Sequence, residues 1–167
     1  MLMLHLRRLT SMVWRRAHTG DSVAIGNLAG DHYTTEIDSI FTPMPAEVTR
    51  RVAHDIIDQI VDPMAALVMV YEEDNVIRGY TWAARSSVVW SNETVLCIQM
   101  AHLDLTLPGR QRVKLVHEMI DMWLAFCVGA NIKIIMSSTV RDSQDAFLKI
   151  HEKRGFLIKG SFAFYRL

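Results

Sequence analysis

The 167-residue sequence predicts a single mixed α/β domain, of the α+β kind, around a largely antiparallel sheet. Three observations predict it. Short apolar runs of strand length alternate with stretches whose apolar residues recur at helical spacing. Two of those runs, 65–71 and 76–87, are separated only by Glu72-Glu73-Asp74-Asn75, a hairpin signature. Half the chain is hydrophobic, and its 18 basic residues balance its 18 acidic ones, so one sizeable core can form with no charge excess opposing it.

Residues 1–16 are rich in Leu, Met and Arg and hold no acid, a weak transit-peptide character. His5, Arg7 and Arg8 interrupt the apolar positions, so residues 1–11 read as an extension before a domain spanning 12–167. Val13 to Ala17 is a short strand. Thr19-Gly20-Asp21-Ser22 offers N-cap side chains for a helix running to about Ala29. Gly30 to Pro45 reads as an irregular connection carrying Asp31, His32, Tyr33 and Glu36 and closed by the breaker Pro43-Met44-Pro45.

Pro45 suits the first turn of a second helix, along which Val48, Val52, Ile56, Ile57 and Ile60 recur at helical spacing until Asp62-Pro63 stops it. The hairpin follows, then a long strand over Glu93–Leu107 and a long helix over Leu115–Val128 ended by Gly129. Asn131 to Thr139 is a further strand. Phe147, Leu148 and Ile150 mark a last helix, with Gly155 where a helix C-cap favours positive φ and Phe156 able to fold back on the final turn. An apolar segment, 157–167, finishes the chain as a strand.

Several function classes are excluded or weakened. No run approaches the ~20 apolar residues of a membrane span. Balanced charge and the lack of a basic stripe interleaved with aromatics argue against nucleic acid as a partner. Cys97 and Cys127 sit in apolar runs without Cys-x-x-Cys spacing, so neither a metal site nor a disulfide scaffold is expected, and the cytoplasm is the default compartment. Trp82, Trp90 and Trp123 read as core or interface aromatics.

The segment Val13-Trp14-Arg15-Arg16-Ala17, with Asp21 and Ala24-Ile25 after it, resembles the first strand and helix of the GCN5-related N-acetyltransferases (GNAT). The strand, helix, Gly155-Phe156, strand ending resembles that family's C-terminal half, so the likeness covers almost everything after residue 11. It is that of a divergent member of phage or bacterial type. The resemblance implies the GNAT fold in the order β-α-α-β-β-β-α-β-α-β, acetyl-CoA as co-substrate, and transfer of acetyl to a primary amine of a protein or small molecule. An inactive relative, serving as a phage virion component or as a binder of a host protein in the host cytoplasm, is the alternative, and a homodimer is an open option.

The family binds the pyrophosphate of acetyl-CoA where the long strand turns into the long helix, on backbone N–H groups that small residues leave open. Leu105, Thr106, Leu107, Gln111, Arg112, Val113, Lys114, Leu115 and Val116 occupy that stretch here, and Gln111 heads the pattern. Lys114 and Val116 replace its two small residues. Either Arg110, Arg112 and Lys114 supply charge in place of open backbone, as in phage and bacterial branches with basic, glycine-poor loops, or the loop is filled and the cofactor excluded. Three cations at a helix N-terminus oppose its dipole, which favours an anion nearby.

Acetyl transfer needs a base for the amine and an acid for the thiolate. Strict alternation along the long strand puts Ile98, Met100, His102, Asp104 and Thr106 on one face unless a bulge intervenes. The resemblance makes Asp104 the first candidate base and His102 the second. His151 falls where the family usually has a Tyr that protonates the sulfur, and Ser138, between Ser137 and Thr139, falls where the pantetheine arm or the substrate is contacted.

Overall fold

The computed structural model describes residues 12–36, 42, 44–139 and 145–159. The 1–11 extension and positions 160–167 of the expected last strand lie outside them. In chain order the elements are β1 (Met12–Arg16), α1 (Ser22–Glu36) entered through a 3-10 turn at Thr19–Asp21, and α2 (Pro45–Val61). β2 (Ala66–Glu73), β3 (Val76–Val88), β4 (Ser91–Leu103), α3 (Gly109–Gly129), β5 (Ile134–Met136) and α4 (Asp145–Lys153) follow.

The strands lie side by side in the order β1-β2-β3-β4-β5, antiparallel except for the parallel β4–β5 pair that α3 connects. Alternation sorts the side chains of β2 and β3 to two faces. Leu67, Tyr71 and Ala83 pack with α3 residues Leu115, Met119, Ile120, Trp123 and Phe126. Val68, Val70, Tyr80 and Trp82 pack on the other face with Ile25 and Ala29 of α1 and Val52 and Ile56 of α2. The sheet is therefore the middle of three layers. The hairpin between β2 and β3 turns through Asp74 and Asn75, both at positive φ (54° and 64°), as a two-residue type I′ turn requires. No helix among the described residues is long and apolar enough to cross a membrane.

Two expectations about α1 and α2 are corrected. Gly30 does not break α1, which continues to Glu36. Gly26 and Gly30 lie one helical turn apart and let α2 approach: a Cβ on Gly26 would sit 2.1 Å from Thr49 Oγ1 and 2.8 Å from the Pro45 carbonyl, and one on Gly30 2.6 Å from the Pro45 ring. On α2 the buried stripe is Val52, Ile56 and Gln59, whereas Ile57 and Ile60 are exposed. Gln59 earns its buried place by accepting from the Val68 N–H (2.8 Å) and donating to the Ala17 carbonyl (3.4 Å), tying α2 to the ends of two strands.

The end of α4 matches expectation. Gly155 has φ 87°, its N–H bonds Glu152 O, and the Phe156 N–H returns to His151 O at 3.0 Å. β5 is shorter than expected, three residues within the 131–139 run. Of the four tryptophans, Trp123 and Trp82 are buried and Trp90 stands exposed on the β3–β4 turn. Both cysteines are free.

Candidate active site

β4 carries the irregularity that shapes the site. Trp82 pairs with Met100 but Ala83 pairs with Ile98, so Gln99 is an extra residue in β4. This bulge resets the alternation: Ile98 belongs to the α3-side core and Met100 packs with the α1–α2 cluster. The single face expected from Ile98 through Thr106 is therefore broken. β4 also ends at Leu103, so Asp104 and Thr106 lie in the turn beyond the strand rather than on it.

At the bulge the outer strand leaves. β5 pairs with β4 only from Val95 to Cys97, opposite Ile134 to Met136. Ile98 to Leu103 of β4 therefore run beyond that paired region, and Ser137, Ser138 and Thr139 follow the end of β5. β5 ends at Met136, so its pairing with β4 stops at Cys97. Ser138 is exposed, and Ser137 Oγ is buried with no hydrogen-bond partner.

Asp104 organises the exit from β4. Its N–H bonds Arg78 O (2.8 Å), Oδ1 accepts the N–H and hydroxyl of Thr106 (2.8 and 2.7 Å), and Oδ2 pairs with Arg78 Nη1 at 2.9 Å. Arg78 also donates to the Thr106 hydroxyl at 2.9 Å. His102 is buried against Tyr80, its cross-strand partner, with ring centroids 6.1 Å apart.

α3 starts earlier than expected, at Gly109 with Pro108 as N-cap, so the basic stretch 110–116 is helix and not loop. Its first helical bond, Arg112 N–H to Pro108 O (3.0 Å), leaves the N–H groups of Gly109, Arg110 and Gln111 outside the helical ladder. A Cβ on Gly109 would meet nothing within 4 Å. Arg110 is exposed, and Arg112 is half-buried with Nε lacking a hydrogen-bond partner. Gln111 turns inward and donates to Tyr71 OH at 3.1 Å. Lys114 points to solvent and pairs with Glu118 at 3.5 Å, while Leu115 is core and Val116 packs against it. Leu107 is buried, Leu105 half-buried and Val113 exposed. The two residues that broke the sequence pattern thus make their recorded contacts with Glu118 and the core, not at Gly109.

His151 lies in an aromatic box of Phe147, Phe156 and Trp123, at ring distances of 4.3, 4.8 and 5.9 Å. It is 2% exposed. Nδ1 donates to Phe147 O at 2.9 Å, and Nε2 is buried without a hydrogen-bond partner. Burial pushes the imidazole below its usual range, partly offset by the bond to Phe147.

On the opposite face of the sheet a cleft of about 380 Å3 opens between α1, the start of α2 and the bulge. Ala29, Gly30 and Tyr33 line one side, Pro45, Glu47, Val48 and Arg51 another, and Trp82, Gln99 and Met100 the floor. Of the residues singled out in the connecting segment, Tyr33 lines the cleft; the side chains of His32 and Glu36 lie outside the described residues. The sequence signal for this cleft was the Gly26/Gly30 spacing, of which Gly30 reads as the start of the connecting segment. Gln99 carried no signal, because a bulge is invisible to alternation.

No protein-family model matches the chain, and no curated protein matches its sequence. Solved structures do. An acetyltransferase by sequence prediction from Clostridium acetobutylicum, solved with acetyl-CoA, superposes with a TM-score of 0.71 at 16% identity, covering 93% of this chain and 96% of that one. The ribosomal-protein-alanine N-acetyltransferase of Brucella melitensis biovar Abortus 2308 gives 0.63 at 13% identity, covering 94% and 99%. The aminoglycoside enzyme AAC(6')-Iy, bound to a CoA-S-monomethyl-acetylneamine bisubstrate analogue, gives 0.65 at 14%, covering 94% and 98%. The bulged β4, the departing β5 and the helix that opens at Gly109 are therefore set in the fold of the GCN5-related N-acetyltransferases.

Proposed function

We propose that this protein binds acetyl-CoA and transfers its acetyl group to an amine. One observation carries the reading: β4–β5 pairing ends at Cys97 beside the β4 bulge, and the α3 N-terminus leaves three N–H groups outside the helical ladder with Arg110 and Arg112 next to them. The free N–H groups and the helix dipole suit a pyrophosphate, and the two guanidiniums supply the charge that open glycine backbone would otherwise replace. The β4 backbone beyond Cys97 offers hydrogen-bonding groups to a pantetheine arm lying along it, with Ser138 on its other side. Acetyl-CoA or a CoA-derived analogue in similar structures supports acetyl-CoA as the ligand.

Within that frame His102 and Asp104 are the proton acceptors for the amine, directly or through water. Asp104 is the weaker of the two, because Arg78 and Thr106 already occupy its lone pairs. His151 is the candidate group for the departing thiolate, and it can give a proton there only from Nε2 of its protonated form, which burial disfavours. Residues 1–11 are an extension, and the domain is 12–167. Calorimetric titration with acetyl-CoA tests the binding step. Arg110→Ala with Arg112→Ala should weaken affinity by roughly tenfold or more and flatten its salt dependence, while Lys114→Ala should not. No heat with wild-type protein would favour the inactive, partner-binding alternative.

A further inference from the structure

The α1–α2 cleft carries an inference about the acceptor, which rests on the acetyl-transfer reading. Its floor and walls are mostly apolar: Val48, Trp82 and Met100 present hydrocarbon and indole surface, and the half-buried Tyr33 adds a neutral phenol, whose titration burial pushes further up. The carboxylate among the described lining residues is Glu47, and it is already satisfied. Arg50 donates to it from Nε (2.9 Å) and Nη2 (2.8 Å), and Arg51 from Nε (2.7 Å). These two guanidiniums hold the Glu47 carboxyl down at about 2. Among the lining residues Glu47 and Arg51 balance, and the nearby Asp55 carboxylate accepts from the Trp82 indole N–H, so the described walls offer no uncompensated negative charge, where a polycation needs one.

We propose that the acceptor is a monoamine with an aliphatic or aromatic body, entering amine-first toward Gln99, and that polyamines and aminoglycosides are excluded. The apolar body gains from burial on Val48, Trp82 and Met100. A second or third ammonium group would meet Arg51 across a cleft with no uncompensated carboxylate among its described walls. Only the neutral amine attacks a thioester, and mostly apolar walls favour that form of a single amine over its ammonium ion.

Tryptophan fluorescence, titrated without acetyl-CoA, reads cleft occupancy directly. Phenethylamine should quench wild-type protein, lose that signal in Trp82→Phe, and bind at least tenfold more tightly than spermidine or kanamycin. Arg51→Glu, at an exposed position, should shift the ratio toward spermidine by roughly tenfold, as expected for reversing one charge near a partly solvated cation. Spermidine or kanamycin binding as tightly as phenethylamine in wild type overturns the inference, as does the absence of any amine-dependent change. Release of free thiol from acetyl-CoA is measured in parallel with each amine. Cleft binding without thiol release sinks the acetyl-transfer reading and leaves the ligand class standing. Thiol release with spermidine but not phenethylamine overturns the ligand class and leaves acetyl transfer standing.

Discussion

Asp104 and His102 are two residues apart and sit in different surroundings, Asp104 among Arg78 and Thr106 and His102 against Tyr80. A base must have a lone pair to offer, and the carboxylate of Asp104 spends its lone pairs on a guanidinium and on both polar groups of Thr106. Asp104→Asn should therefore cost stability, about 1–3 kcal/mol, by weakening a charged pair at the entrance to α3. It should lower turnover less than His102→Gln, for which a loss of ~10²–10⁴-fold is expected. Parallel melting curves and thiol-release rates check the split; equal losses of turnover would return Asp104 to first place. Buried His151 makes a second prediction. Its folded-state proton affinity is depressed, so the unfolded chain binds the proton more readily and stability rises with pH. The contribution is complete above the usual value of 6.5 and is lost as pH falls below it. His151→Phe, which fits an aromatic box, should flatten the stability profile on the acid side while leaving the neutral-pH value within about 1.5 kcal/mol. The positions of candidate residues were legible in the sequence, as for the basic start of α3 and for His151 on α4. The site was illegible where geometry decides. Nothing in the identity of Gln99 announces a bulge, and nothing in that of Asp104 says that Arg78 will reach it.

At the scale of elements, glycine acts in two opposite ways. Gly26 and Gly30 are where α1 gives room to α2, and Gly109 stands in open space. Gly26→Ala places a methyl against Thr49 and the Pro45 backbone, so it should cost about 1–3 kcal/mol or force the helices apart. Gly109→Ala should leave the melting temperature within a few degrees, and a circular-dichroism melt distinguishes them. The boundaries of α2, the β2–β3 hairpin and the α4 C-cap were legible because Pro45, Asp74-Asn75 and Gly155 each do a local job. α1 ran past its expected end because a glycine chosen for helix contact has the same letter as one chosen to stop a helix. The apolar run of α2 misled in the same way: Ile57 and Ile60 fit the period, but the turn they occupy faces outward, and a polar Gln59 is buried to hold strand ends.

For the whole molecule, the comparison structures settle the fold and leave chemistry to the site, since one of them acts on a ribosomal protein and another on an aminoglycoside. The fold class, the antiparallel sheet and the element order to α4 were readable because each layer keeps its own apolar period. What strand order could not convey is the break in pairing at Cys97, after which β4 and β5 share no further register. That break has a kinetic consequence. β2, β3 and β4 form consecutive hairpins with long registers, whereas β5 reaches its three pairs only after the α3 crossover. Among the described strands the centre should assemble first and β5 last, because closing the longer loop is rewarded by only a few hydrogen bonds to β4. Native-state hydrogen exchange should then show a gradient across the sheet, with the amides of Val68, Val70, Tyr80 and Trp82 opening only on global unfolding and those of Ile134 to Met136 exchanging through a cheaper, local opening. Uniform protection would mean that the sheet unlocks as one unit. A gradient would mean that the wall of the proposed thioester slot can swing free while the rest of the protein stays folded.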